Sequence, residues 1–155
     1  MERGQQVREA FGRIIDQKLF LYLLDLEIKR ARRYQNFISF LYLKIHRISN
    51  DGNSWSLETC RETLGDLLSV EMRESDILAF LGEESLVVLL PYADLQMAER
   101  AKERFKETLQ YFDFRRMGYE ITIDQFCFPA NGADTKDLLG KLFRSPSEEE
   151  RGVKI

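Results

Sequence analysis

The spacing of hydrophobic positions along this chain changes several times, and each change marks a predicted element. Between residues 5 and 34, Val7, Phe11, Ile14 and Ile15, then Phe20, Leu23, Leu24 and Ile28, recur at the three-to-four spacing of a helical face. The pattern predicts one long helix with no Gly or Pro after Gly12. Its apolar face is wide around Leu19 to Leu26, so the helix must pack against something more than water. It closes on Lys29-Arg30-Ala31-Arg32-Arg33, cations that suit the negative end of a helix dipole.

Residues 37–45, Phe-Ile-Ser-Phe-Leu-Tyr-Leu-Lys-Ile, are the aromatic and β-branched material of a strand. A polar loop with Asp51-Gly52 turn chemistry follows, and Ser56 is placed to cap a helix running to about Met72. Residues 76–81 and 85–90 read as two strands joined by Gly82-Glu83-Glu84, with Pro91 ending the second. A strongly amphipathic helix over 93–111, a strand over 119–128 and a short helix over 134–143 complete the order. The tail from Arg144, with Ser-Pro-Ser and Glu148-Glu149-Glu150, is poor core material and is expected to fray. A long helix followed by β-α-β-β-α-β predicts an α+β, ferredoxin-like fold, an antiparallel sheet with helices packed on it.

Composition narrows the class. The chain has 155 residues, enough for one domain with a core of its own. The net charge of −3 gives no bulk sign of nucleic-acid or membrane affinity. Cys60 and Cys127 lie far apart with no CxxC pair, which argues against a zinc site and for a reducing cytoplasm. The longest apolar stretches, such as Phe37 to Leu43 and Leu86 to Leu90, are too short to span a bilayer. His46 is the chain's one histidine and has no Cys or Asp cluster around it in sequence, so it is a poor metal or catalytic candidate. Glu83 and Glu84 are neighbours on a hairpin tip and read as a polar turn, and Trp55 and the Tyr111-Phe112-Phe114 group read as packing anchors.

Four stretches in register carry a resemblance. Leu26-Glu27-Ile28-Lys29-Arg30-Ala31-Arg32-Arg33-Tyr34 precedes the strand Phe40-Leu41-Tyr42-Leu43. Arg73-Glu74-Ser75-Asp76 is followed, after five residues, by Gly82-Glu83-Glu84-Ser85-Leu86 and Val87-Val88-Leu89-Leu90-Pro91. Ala101-Lys102-Glu103-Arg104 lies in the next helix. Ile121-Thr122-Ile123, Pro129, Gly132 and Asp137-Leu138-Leu139 close the set. In this order they resemble the GGDEF domain, whose active members make cyclic di-GMP from two GTP; the likeness spans roughly Leu19 to Phe143. It implies a helical extension over 1–18, a degenerate GGDEF-like domain over 19–143 and a flexible charged tail over 144–155.

The resemblance also says which chemistry is altered. Active members hold two divalent cations between first-strand carboxylates and the acid of the signature hairpin. Here Lys44 and His46 stand at the first-strand positions, and a protonated amine has no lone pair for a cation. Asn50-Asp51 falls short of the family spacing, and Leu57-Glu58 replaces a Gly-Asp pair. In the hairpin Gly82-Glu83-Glu84-Ser85-Leu86, Glu84 keeps the metal-site acid while Glu83 replaces a glycine that lets the backbone approach substrate. The opening loop before Leu19 and the closing segment after Phe143 are missing. These losses argue against cyclase activity; magnesium would matter only to residual GTP binding, and no other cofactor is implied.

The family's inhibitory site for cyclic di-GMP has the form RxxD, and Arg73 and Asp76 stand at its spacing, with Arg104 where a second arginine often falls. Arg can give a forked donor pair to guanine O6 and N7, and Asp can accept from the N1 and N2 edge. Three functions stay open: an inactive receptor for cyclic di-GMP that signals to a protein partner, a dimerisation or interaction module needing no nucleotide, and a residual cyclase or GTP binder. Nucleic acid and membrane insertion are not expected.

Overall fold

Three polar side chains set where the helices begin. Asp16 accepts from Leu19 N at 2.8 Å, Ser56 from Thr59 N at 3.1 Å, and Asp94 from Met97 N at 2.9 Å. Each satisfies a backbone donor that the first turn leaves without a partner. The computed structural model describes residues 14–48, 54–129 and 153–154. Within them lie strand β1 (Ile14–Ile15), helix α1 (Gln17–Tyr34), β2 (Ile38–Arg47), α2 (Leu57–Glu71), β3 (Ile77–Phe80), β4 (Ser85–Pro91), α3 (Leu95–Tyr111), β5 (Tyr119–Phe128) and β6 (Val153–Lys154). The expected helix over 134–143, the Asp51-Gly52 turn and nearly all of the tail lie outside the described residues.

The helix expected from residue 5 begins at Gln17. Asp16 caps it, and the β-branched pair Ile14 and Ile15 joins the sheet instead, parallel to Leu78 and Ala79 of β3. Local spacing allowed a helix there; a pairing some sixty positions away decided otherwise, as tertiary context commonly does.

The sheet order is β1-β3-β4-β2-β5-β6. Its middle four strands are antiparallel throughout, with β2 between β4 and β5. This is the expected ferredoxin-like order. Helices cover both faces. Leu64 and Leu68 of α2 and Phe105 and Leu109 of α3 pack on Leu41, Leu43, Leu86, Val88, Ile121 and Ile123. Phe20, Leu24, Ile28 and Ala31 of α1 pack on Phe40, Val87, Leu89 and Phe128 on the other face. β4 is therefore buried along its whole length, which is why Leu86 to Leu90 reads as an unbroken apolar run. Among the described residues, no helix is long and apolar enough to cross a membrane.

Two places in this frame gather polar chemistry. One is the junction of α2, β3 and α3. The other is the end of the sheet where the β3–β4 hairpin meets β2 and β5.

Candidate functional site

At the first junction α2 stops at Glu71, and Arg73-Glu74-Ser75-Asp76 turns the chain into β3. The turn closes on itself: Asp76 N donates to Arg73 O at 3.0 Å. In return the Asp76 carboxylate accepts from Arg73 N at 2.9 Å, Nη2 at 3.1 Å and Nε at 3.3 Å. Asp76 is fully enclosed, whereas the Arg73 side chain is 46% exposed. The expected role of Asp76, accepting from a base edge, does not fit this geometry. With both oxygens engaged and no accessible surface, the carboxylate aims the Arg73 guanidinium.

Arg104, on the exposed side of α3, reaches back to the end of α2. Its Nε lies 3.6 Å from Glu71 Oε2, and its Nη2 donates to Glu71 O at 3.4 Å. Thr108 Oγ1 donates to the same glutamate at 2.9 Å. Between these arginines lies an open pocket of about 160 Å³, lined by Arg73, Arg100 and Arg104 over Leu90, Ala93, Met97 and Ala101. The fold thus brings Arg73 and Arg104 to one pocket and leaves Asp76 behind them. Arg100 was not singled out from sequence. Its spacing of four from Arg104 on an amphipathic helix, which puts both on one face, was the available signal.

At the second place, the hairpin turns through Gly82 with φ +79°, and Leu81 N donates to Ser85 O at 2.9 Å. A Cβ at Gly82 would meet nothing within 4 Å, so backbone conformation and not crowding asks for glycine there. Glu83 and Glu84 are exposed at the tip. Ile45 N donates to Glu84 O at 2.8 Å and ties the turn to β2. Lys44 lies opposite Ser85 on one side and Thr122 on the other. Leu86 points the other way, into the core under α2 and α3.

A divalent cation does not fit this donor set. Oxygen ligands from several carboxylates are what magnesium takes, and the β2 position between the hairpin and β5 carries an ammonium. Among the described residues, no three His, Cys, Asp or Glu side chains come together as a metal site.

Titration is perturbed elsewhere, in the core. Burial pushes the Cys60 thiol up to about 12, with Arg47 opposing it. Burial likewise raises the Tyr119 phenol, again against Arg47. Tyr119 accepts from Arg47 Nη2 at 2.7 Å and donates to Trp55 O at 2.8 Å. These are structural contacts holding β2, β5 and the approach to α2.

Comparison with known proteins agrees with this architecture. The family model described as "Diguanylate cyclase, GGDEF domain" matches residues 11–141. No curated protein sequence matches the chain. Among solved structures, a diguanylate cyclase protein from Thermotoga maritima superposes with a TM-score of 0.72 at 17% identity, over 88% of this chain and 98% of that one. The FimX GGDEF domain from Pseudomonas aeruginosa gives 0.71 at 16% identity, over 86% and 87%. The coiled coil and GGDEF domain of DgcB from Caulobacter crescentus, in complex with c-di-GMP, gives 0.68 at 12% identity, over 91% and 81%. At these identities the likeness is one of fold.

Proposed function

Because the chain belongs to the GGDEF domain family of diguanylate cyclases, we propose that it binds cyclic di-GMP at the arginine-lined pocket between α3 and the Arg73 turn, does not synthesise it, and reports its occupancy to a protein partner. The observation that carries this reading is the convergence of Arg73, Arg100 and Arg104 on one pocket with an apolar floor. Guanidinium groups suit both halves of such a ligand. They give paired donors to guanine O6 and N7, bind phosphate, and stack on purine faces.

Size refines the picture. Ligand pockets commonly hold about 300–1,000 Å³, so this one admits a single base edge while the rest of the ligand lies across exposed surface. Asp76 keeps Arg73 in position. Arg104 must leave Glu71 to reach a ligand, an exchange of one partly exposed ion pair for phosphate or base contacts. Lys44 in place of a metal-binding carboxylate, and Glu83 in place of a glycine, support the absence of synthesis.

A second reading has its own observation. On α1, Leu19, Tyr22 and Leu26 are 44%, 62% and 44% exposed, on the side opposite the buried Phe20, Leu24 and Ile28. This outward apolar stripe, at helical spacing, supports an interaction module, and in the receptor reading it is where the partner would sit.

Calorimetric titration with cyclic di-GMP tests the proposal. Binding at micromolar affinity, about −8 kcal/mol, is expected for the unaltered chain. Arg73→Ala, Arg100→Ala and Arg104→Ala should each weaken it about tenfold or more. Absence of binding, or binding that all three variants retain, removes the receptor reading; magnesium-dependent GTP turnover removes the claim of inactivity.

A further inference from the structure

Glu71 is the last residue of α2, and its place there is locally unfavourable. A carboxylate in a last turn meets the negative end of the helix dipole, and this turn has no basic residue of its own. The cation comes from α3 instead. Arg104 Nε lies 3.6 Å from Glu71 Oε2, and Arg104 Nη2 donates to Glu71 O at 3.4 Å. Thr108 Oγ1 donates to Glu71 Oε1 at 2.9 Å. One guanidinium therefore pairs the carboxylate and also serves a carbonyl at the helix end, where carbonyls have no partner within the helix.

The same guanidinium lines the arginine pocket beside Arg73 and Arg100. It cannot serve both places at once, because donors turned toward a ligand are taken from Glu71. Arg73 is held differently: the Asp76 carboxylate on it has no exposed surface. The Arg104–Glu71 pair is the one built to break. Its side chains are 42% and 28% exposed, so water can take the place of either partner, and such a pair shifts an equilibrium by only about two- to five-fold.

We infer that Glu71 is an autoinhibitory latch on this pocket. With the pocket empty it holds Arg104 at the end of α2; a ligand that draws Arg104 away leaves the last turn of α2 without its cation. The latch rests on the receptor reading and adds two things to it, a restraint on affinity and a route from the pocket into α2. The coupling is reciprocal: whatever holds Arg104 at Glu71 weakens the ligand, and the ligand loosens the last turn of α2. The Thr108 bond to Glu71 does not involve Arg104, so it keeps the carboxylate in place to recapture Arg104 when the ligand leaves.

Cyclic di-GMP should be titrated calorimetrically into the full chain, Glu71→Gln, Arg104→Ala and the double variant. Glutamine keeps an acceptor for Thr108 and removes the charge that holds Arg104. Glu71→Gln should bind about two- to five-fold more tightly than the unaltered chain, and the gain should vanish in the Arg104→Ala background. Hydrogen exchange on the unaltered chain supplies a second readout: ligand should speed exchange of the amides of residues 68–71, whereas contact without a latch leaves them unchanged or slower. Equal or weaker binding by folded Glu71→Gln overturns the latch and leaves the receptor reading standing. So does an equal gain in the Arg104→Ala background, which is the general effect of removing a negative charge near an anionic ligand. Unchanged or slower exchange at the end of α2 overturns it as well, and decides the matter even if Glu71→Gln folds poorly. Absence of binding in all four proteins removes the receptor reading and the latch together, and binding by Glu71→Gln alone supports both.

Discussion

Replacing Asp76 by alanine removes the acceptor for three donors of Arg73: the backbone N–H at 2.9 Å, Nη2 at 3.1 Å and Nε at 3.3 Å. The backbone N–H loses its partner beside a fully buried position, which costs about 1–2 kcal/mol. The guanidinium is about half exposed and regains water, so its loss contributes no more than about 1 kcal/mol. Asp76→Ala should therefore destabilise the domain by roughly 2–3 kcal/mol. Arg73→Ala keeps the backbone bond and opens the carboxylate to water, so it should cost only about 1 kcal/mol. Once Asp76 is gone, Arg73 has nothing left to hold it, and the double variant should match Asp76→Ala alone. Urea unfolding of the four proteins gives the cycle. With a slope of about 1–3 kcal/mol per molar urea, the Asp76→Ala midpoint should fall by about 1–2 M. A fall of less than about 0.3 M, or singles that add within about 0.5 kcal/mol in the double variant, would show that the closed Arg73–Asp76 turn is absent in solution.

Two further outcomes follow from the core and from one backbone position. Burial that raises the Cys60 thiol from 9.0 to about 12 means that the unfolded chain loses this proton first; the contribution is intact below about pH 9 and declines as pH rises toward 12, so urea midpoints should fall across that window and Cys60→Ala should flatten the fall. Native Cys60 should also resist a thiol reagent at pH 8 until the chain is unfolded. Tyr92 adopts φ +64° and carries the Arg30 guanidinium 4.0 Å from its ring centroid. Tyr92→Ala keeps the unfavourable backbone and loses the cation–π contact, at about 0.5–1 kcal/mol. Tyr92→Gly relieves the backbone and should lie at least as high in stability as Tyr92→Ala in thermal melts.

Much of the fold follows from local chemistry in the chain. Three-to-four spacing over 17–34, 57–71 and 95–111 reports helices whose inner faces meet a sheet. Ser56 announces its cap role by residue type and place, because a cap needs only a short polar side chain beside the first free N–H groups. The strands over 38–47, 77–80, 85–91 and 119–128 are legible for a similar reason: β-branched and aromatic runs bounded by turn residues are what a half- or fully buried ladder selects. The RxxD turn, the hairpin glycine and Lys44 between the signature positions were all visible as residues at spacings.

Tertiary structure decided what those residues face. Ile14 and Ile15 carry helix-compatible spacing, yet parallel pairing with Leu78 and Ala79 takes them into the sheet; no local rule contains a partner that distant in sequence. Asp76 looks in sequence like a ligand acceptor and is an enclosed carboxylate clamped on Arg73, because burial is a property of everything packed around it. Arg100 joins Arg73 only because α3 lies against the end of α2. Lys44 reads as a lost metal ligand from the chain alone. Only the sheet register sets it between Ser85 and Thr122, because strand pairing joins residues that are 41 and 78 positions away from it.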